Sequence, residues 1–348
     1  MGLRVIIAAC LVIAPASLAH AATCSAEQGQ QLIDDGRYTR AIREFTCVID
    51  GHPTEIGAFR GRIEAKLLIG RYSGAILDAV ELMRRVPDAA STIYAEYNAR
   101  LASAPSDIPA LTGAGFAHWW FFDYPGAIRI LDDLLAIRPD DVFGNLFRGS
   151  SRLLKGASRA AGAADLEYAM ALAPNSPDVH YIVADAYTYG FLADPARAFD
   201  EASIALAGGL DTPRVHAILG AAHNAFGNTQ QAAIEIKKHI DLVTAELVPT
   251  PALGAGTSMT FTIVPSRTFE IPVSVLAGQA LSVATSSPDF LDTILVLLGP
   301  DGTPVLGSDD SFKYLAAFEW VPSVSGTYRI RVTSFEAASA GALVVRRD

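Results

Sequence analysis

Hydrophobic residues follow two different periods along the chain, and the period changes near residue 250. From residue 24 to residue 243, apolar residues recur at intervals of three and four, the spacing of amphipathic helices with one buried face. Beyond residue 256, short segments alternate between apolar and polar positions, as strands with one buried face do. The pattern therefore predicts an array of helices followed by a smaller β domain.

The helical region contains an internal repeat. The segment Gly36–Tyr38 recurs 34 positions later as Gly70–Tyr72, and Pro53 and Pro87 close the two segments at the same spacing. A glycine tolerates the left-handed backbone of a tight turn between helices, and a proline ends the second helix. One helical hairpin cannot bury its apolar face alone, so we expect successive hairpins to stack into a solenoid.

The Gly-x-Tyr turn, the small residues around it and the closing proline resemble the tetratricopeptide repeat. The resemblance implies an α-solenoid over residues 22–245, which is a binding scaffold and does not indicate a reaction. One extra helix at residues 91–103 is expected to interrupt the array after the second unit. The predicted units are residues 22–55, 56–88, 108–141, 143–175, 177–212 and 213–245.

In a solenoid of this type the first helix of each unit lines the concave surface. The resemblance therefore places ten residues there, in a groove that suits an extended peptide or an amphipathic helix. They are Arg60, Glu64, Phe116, Trp119, Trp120, Phe147, Tyr181, Asp185, Tyr189 and Asn224. Residues 119–122 are four consecutive aromatics, which point to all sides of a helix, so they cannot all be buried in one seam. We expect Trp119 or Trp120 to be the exposed member, and the alternative is that these aromatics belong to the core.

The C-terminal region is predicted to be an antiparallel β-sandwich. Residues 246–255 contain two prolines and a glycine and are expected to form a linker, after which residues 256–348 hold short strands separated by turn residues. The Asp301–Gly302 pair supplies the positive φ that a hairpin turn needs. The predicted strands are residues 260–263, 269–275, 280–284, 293–298, 317–321, 327–332 and 342–346.

The order of these strands and turns is similar to the bacterial pre-peptidase C-terminal domain. The matching segments are residues 277–279, 292–295, 300–302, 309–310 and 326–330. The resemblance implies a small jelly-roll-like sandwich that serves as an accessory binding module, and some members of that family bind calcium.

A calcium site is one interpretation of the acidic residues in this domain. Five aspartates lie within 22 residues, and carboxylate oxygens are the ligands that calcium prefers. The candidate ligands are Asp289, Asp292, Asp301, Asp309 and Asp310. The alternative is that Asp301 only serves its turn and that residues 309–310 form a solvated loop.

The N-terminus is typical of a secretory signal peptide over residues 1–21. Arg4 precedes an apolar segment at residues 5–13, and small residues occupy the positions before a cleavage site after Ala21. The apolar segment is too short to span a bilayer. We therefore expect a periplasmic or secreted protein with no transmembrane segment in its mature chain.

The cysteine content agrees with export. Cys10 would leave with the signal peptide, and the mature chain would keep Cys24 and Cys47. Two cysteines in an exported chain usually form a disulfide, whereas the alternative is two separate buried thiols.

Composition excludes some classes of protein. The chain carries 37 acidic and 27 basic residues, a formal net charge of −10, so nucleic acid, which needs a basic surface, is not an expected partner. Hydrophobic residues make up 51% of the 348 residues, which is too many for a disordered chain.

Candidate chemistry is sparse. The sequence contains no His-Glu-x-x-His zinc motif, no Gly-x-Ser-x-Gly elbow and no Walker loop, so neither catalysis nor a cofactor other than calcium is predicted. His216, His223 and His239 lie on two neighbouring predicted helices and could form a metal constellation. In repeat register, however, His180 matches His216 and His118 matches His223, so packing or capping histidines are the better interpretation.

The sequence therefore predicts an exported, non-catalytic adaptor that binds a protein or peptide in the concave groove and carries an accessory β-sandwich binding module. The alternatives are an accessory subunit of a secreted hydrolase, an unrecognised hydrolase, or a glycan-binding protein. A glycan-binding sandwich needs exposed aromatics on one sheet face. Trp320 and Tyr328 are the candidates, although their alternating strand positions favour the core.

Overall fold

The computed structural model describes residues 24–348 except 156–157, 191–192, 265, 290, 310–314 and 336–340. The expected signal peptide and Asp310 therefore lie outside the described residues. Within them, thirteen helices precede nine strands. The helices are α1 (Ala26–Asp34), α2 (Tyr38–Gly51), α3 (Ile56–Leu68), α4 (Tyr72–Arg85), α5 (Ala89–Ser103), α6 (Ile108–Trp120), α7 (Tyr124–Ile137), α8 (Val142–Lys155), α9 (Arg159–Leu172), α10 (Pro177–Tyr189), α11 (Pro195–Ala207), α12 (Pro213–Ala225) and α13 (Thr229–Val243).

The helices confirm the predicted repeat organisation. Six helical hairpins match the six predicted units, and α5 is the extra helix between the second unit and the third. The turn glycines Gly36, Gly70 and Gly227 have φ values of 71°, 75° and 75°, as the left-handed turn of the repeat requires. Small residues such as Ala41 and Ala75 are completely buried where the paired helices meet. The helical region is thus a tetratricopeptide-like solenoid with one apolar core that runs from α1 to α12.

The first unit is closed by a disulfide. Cys24, which precedes α1, is bonded to Cys47 in α2, with the two Cα atoms 5.9 Å apart. The bond closes a segment of 23 residues and fastens the first helix to the second. The expected pairing of the two cysteines is therefore present.

Residues 246–348 form a sandwich of two sheets. The five-stranded sheet has the order β1-β3-β8-β5-β6 and the four-stranded sheet the order β2-β9-β4-β7. The strands are β1 (Glu246–Pro249), β2 (Thr257–Ile263), β3 (Arg267–Val275), β4 (Leu281–Ser286), β5 (Thr293–Leu298), β6 (Pro304–Asp309), β7 (Ala317–Trp320), β8 (Gly326–Ser334) and β9 (Gly341–Arg347). All seven predicted strands are present, and alternate residues such as Ile271, Val283 and Val345 fill the space between the sheets.

The sandwich differs from the sequence prediction at two places. Residues 246–249 were expected to belong to the linker, but they form β1 and pair in parallel with β3 from Glu246 opposite Arg267 onward. Strand β6 was also not predicted, because its Gly307–Asp309 end lacks the alternating apolar residues of a typical strand. In the structure β6 packs against helix α13 of the solenoid and pairs with β5 within the sheet.

The two domains pack directly against each other. Ile236 and Ile240 of α13 form a buried apolar cluster with Ile294 and Val296 of β5 and with Phe335. Gly307 of β6 lies against the same helix, because a Cβ atom added there would approach Ile236 and the backbone of Ala233. The last helix of a repeat array needs its outer apolar face covered. Here the five-stranded sheet covers it.

Among the described residues, no helix is both long enough and apolar enough to cross a bilayer.

Candidate functional site

The first two of the predicted concave residues belong to a buried polar network between α3 and α5. Glu64 is fully buried, and its carboxylate accepts hydrogen bonds from Arg100 at 2.9 Å, Arg60 at 3.3 Å and the Tyr97 hydroxyl at 3.2 Å. Burial raises the pKa of Glu64, and this effect outweighs the two arginines, which lower it. Arg100 also pairs with Asp107 at 2.9 Å. These polar groups are satisfied internally, and they hold the inserted helix α5 against the second unit.

The middle members form an aromatic core instead of an open groove. Phe116, Trp119 and Phe147 are all buried, with the Trp119 and Phe147 rings edge to face at 4.9 Å. The Trp119 indole N–H donates to the hydroxyl of Ser150 at 3.0 Å, which satisfies its buried polar atom. Tyr72 places its ring edge on Phe147 from the other side, at 5.6 Å. Of the two tryptophans expected to include the exposed member, Trp119 is therefore not that member.

The element that fills the concave side is the N-terminal end of α4. Tyr72 at the start of α4 is buried against Phe143 and Phe147 of α8. The backbone N–H of Ser73 donates to the carboxylate of Asp178 in α10 at 2.6 Å, across 105 residues. A carboxylate stabilises the free N–H groups and the positive end of the dipole at a helix N-terminus. The second unit thus reaches across the solenoid to the fourth and fifth units and covers their concave face.

The last concave positions lie towards the sandwich. Asp185 pairs with Arg214 at 2.7 Å, and the Arg214 guanidinium lies 4.2 Å from the centre of the Tyr189 ring and 4.8 Å from that of Phe335. The Asn224 side-chain amide donates to the carbonyl of Gly307 in β6 at 3.4 Å. Tyr181, one turn before Asp185, is buried. Asp185, Tyr189 and Asn224 therefore support the domain interface.

The exposed aromatic residue lies at the turn between α6 and α7. Phe122 is 78% exposed and has a φ of 60°, in the left-handed region. It occupies the turn position where the first, second and sixth units have Gly36, Gly70 and Gly227. The next residue, Asp123, accepts a hydrogen bond from the Gly126 backbone N–H at 3.1 Å and so caps α7. Sequence reasoning missed Phe122, although an alignment of the turns shows a phenylalanine in a glycine position.

An apolar groove opens beside this turn. It is small, with a volume of about 20 Å³, and Trp120 and Phe121 form one wall of it. The other walls come from α3, α4 and α5, including Met83 and Ile93, with Arg60 at one side. We call residues 120–124 the aromatic turn. Trp120, Phe121 and Tyr124 are partly exposed there, so Trp120 is the more accessible of the two tryptophans expected to be exposed, whereas the exposed Phe122 was not expected.

The histidines confirm the packing interpretation. His180 and His216 are buried at equivalent positions, and each Nδ1 lies beside a carboxylate of the paired helix, Glu201 at 2.5 Å and Glu235 at 2.6 Å. Burial lowers the pKa of His216, but its hydrogen bonds to Glu235 and Asp211 outweigh burial and raise the pKa above its usual value.

His239 of α13 lies at the domain interface. Its ring nitrogens lie 2.9 Å and 3.1 Å from the backbone carbonyls of Pro213 and Phe335. Burial lowers the pKa of His239 to about 4. Among the described residues, no group of three His, Cys, Asp or Glu side chains is arranged to hold a metal ion.

The acidic residues of the sandwich do not all come together. Asp301 accepts hydrogen bonds from the backbone N–H and hydroxyl of Thr303 in its own turn, at the opposite end of β5 from Asp292. Asp289 accepts from the backbone N–H of Ala342 at 2.7 Å. Asp309 ends β6 opposite Ile294 of β5, and Asp292 directly precedes β5, two residues before Ile294, so this pair remains close in register. Calcium binding stays a prediction, with Asp310 outside the described residues.

The helical region is similar to tetratricopeptide repeat proteins. One is a protein from Parabacteroides merdae, at 18% identity and a TM-score of 0.39, covering 62% of this chain and 77% of that one. This chain is also similar to PilF of Pseudomonas aeruginosa, at 16% identity and a TM-score of 0.36, covering 62% of this chain and 89% of that one.

The sandwich is similar to the pre-peptidase C-terminal domain of a collagenase from Bacillus anthracis, at 8% identity and a TM-score of 0.25. This similarity covers 29% of the present chain and 94% of that domain. No protein-family model matches the chain, and no curated protein sequence does. The similarities concern the fold alone.

Proposed function

We propose that the chain is an exported, non-catalytic adaptor that binds another protein through the aromatic turn, residues 120–124. The observation that carries the proposal is Phe122, a large side chain that is 78% exposed in a left-handed backbone conformation. A non-glycine residue in this conformation costs about 1 kcal/mol relative to glycine. Its ring contacts Tyr124 edge to face, with the centroids 6.3 Å apart, and gains little burial in return.

Strained residues and exposed aromatics are both typical of recognition sites. Backbone strain persists where a function requires it, and aromatic side chains are enriched among the residues that dominate binding energy. The small apolar groove beside Trp120 and Phe121 extends the apolar surface next to the turn. The proposal places the contact here, because Tyr72 and Ser73 already fill the concave face between the second and fifth units.

Two further parts of the proposal rest on simpler observations. Export is supported by the Cys24–Cys47 disulfide, since such bonds persist in oxidising compartments. An accessory binding role for the sandwich is supported by its second sheet, β2-β9-β4-β7, which lies on the side away from α13.

The test is affinity capture from the cell-envelope fraction with the wild-type chain and the Phe122→Gly variant as baits, followed by mass spectrometry. We expect a protein that the wild type retains to be lost with Phe122→Gly, while the variant is more stable to urea by about 1 kcal/mol. Phe226→Ala is the matched control, because Phe226 is 45% exposed beside the equivalent turn of the sixth unit. Retention of the same proteins by the wild type and by Phe122→Gly would overturn the proposal.

A further inference from the structure

Strand β2 forms an unprotected edge of the sandwich. It lies at one end of the four-stranded sheet and pairs along its whole length, Thr257–Ile263, with β9. Among the described residues no strand lies on its other side. Its sequence, TSMTFTI, contains no charge and no proline, and its register with β9 contains no bulge. An edge of this kind presents free backbone N–H and C=O groups to another strand.

The other edges of the sandwich carry the protection that β2 lacks. Strand β1 ends at Pro249 and carries Glu246, which pairs with Arg267 of the neighbouring strand at 2.8 Å. Strand β6 is covered by the solenoid, where Gly307 lies against α13. The short strand β7 carries the exposed residue Glu319. Charges, prolines, short strands and covering helices are the usual means of blocking edge pairing. Strand β2 therefore differs from the three other edge strands, β1, β6 and β7.

The side chains of β2 are arranged symmetrically about its central residue, Thr260. Ser258 and Thr262 lie two positions on either side on the exposed face, and Met259 and Phe261 lie next to the centre on the inner face. Two antiparallel copies centred on Thr260 would therefore pair hydroxyl with hydroxyl and sulfur with aromatic ring. Both kinds of cross-strand pair are favourable. An isologous contact requires such a self-complementary pattern.

We propose that two copies of this chain associate through β2, antiparallel, about a twofold axis at Thr260, to form a continuous eight-stranded sheet. Met259 and Phe261 remain only half-buried at the edge of the core, although Phe261 stacks on Phe269 with the ring centroids 4.5 Å apart. The second copy covers this remaining apolar surface. The sheet that packs on α13 is the other one, so the solenoid leaves this edge free.

The first experiment measures the mass of the purified chain by light scattering and sedimentation over a range of concentrations. We expect a dimer that Thr260→Lys and Thr260→Glu each weaken roughly tenfold or more, because like charges then face each other across the axis. An equimolar mixture of the two variants restores the dimer. Thr327→Lys, at an exposed position in the interior strand β8, is the matched control and leaves association unchanged.

The second experiment is a cysteine cross-link. Directly opposite residues in an antiparallel pair have Cβ atoms about 5 Å apart, so Thr260→Cys gives a disulfide-linked dimer under mild oxidation and Thr327→Cys does not. A monomer at hundreds of micromolar overturns the proposal, and so does a dimer that survives Thr260→Lys. Capture of a different protein by β2 in place of self-association also overturns it. None of these outcomes depends on Phe122, so this proposal and the proposed function fail separately.

Discussion

Replacing Gly307 with valine should separate the sandwich from the solenoid. A Cβ atom at residue 307 would lie 2.8 Å from Cδ1 and 3.0 Å from Cβ of Ile236, and 3.2 Å from Cα of Ala233. The Ile236 terminal methyl group can rotate away, but the backbone of Ala233 can move only if α13 moves. The backbone of residue 307 is outside the left-handed region, so the effect arises from packing alone.

The expected magnitude follows from the cost of overpacking a buried contact. Extra methyl groups in a well-packed core cost about 1–3 kcal/mol, which corresponds to roughly 5- to 150-fold in the docking equilibrium. Valine has a higher β propensity than glycine, so the substitution by itself would stabilise β6. A loss of docking therefore cannot arise from strand propensity. Separation exposes Ile236, Ile240 and Phe335, which are at most 3% exposed when the domains are docked.

Hydrogen exchange measured by mass spectrometry separates domain undocking from general unfolding. We expect faster exchange in α13 and β6 of the Gly307→Val variant, with unchanged exchange in α3 and α8. Thr327→Val is the control, since it introduces the same side chain at an exposed position of the same sheet. Unchanged protection of α13 in Gly307→Val would show that β6 does not approach the helix as closely as described.

Two further predictions concern titration and metal binding. His216 has a raised pKa in the folded state, so its contribution to stability is fully present below the unfolded pKa of about 6.5 and is lost as pH rises through the folded value. The wild-type urea midpoint should therefore fall more steeply with rising pH above neutrality than the midpoint of His216→Asn. His52→Asn, at an exposed histidine, is the control. Parallel curves for the wild type and His216→Asn would contradict a raised pKa of His216. If calcium binds the sandwich, Asp292→Ala abolishes the calcium-induced rise in melting temperature; a wild-type chain with no such rise excludes the site.

The helices and most strands could be predicted because their signals are local. Gly36, Gly70 and Gly227 mark turns that demand a left-handed residue, and apolar periodicity identifies the buried face of each helix. The strand Thr293–Leu298 was predicted with the correct bounds, and its six residues are all apolar or β-branched. In each case the residues that decide the element lie within the element or next to it.

The filling of the concave face could not be predicted, because it depends on contacts between distant parts of the chain. Tyr72 belongs to the turn pattern that recurs within the chain, and nothing near it in sequence indicates that it reaches Phe147 or that Ser73 reaches Asp178. Strand β6 illustrates the same limit. Its weak alternation around Gly307 makes sense only once α13 is known to pack against it.

A solenoid binds along its concave side only where its own chain leaves that side open. Here Tyr72 fills the middle of it and the sandwich approaches its end at Asn224, so partners are expected elsewhere. The two surfaces proposed for binding have one thing in common, because each differs from the equivalent elements of its own domain. Phe122 replaces the glycine of equivalent turns, and β2 lacks the protection of the other edges. The left-handed Phe122 destabilises the isolated chain, and the free edge of β2 leaves backbone groups without a paired strand. A bound partner would bury Phe122 and pair with β2, which would offset these costs.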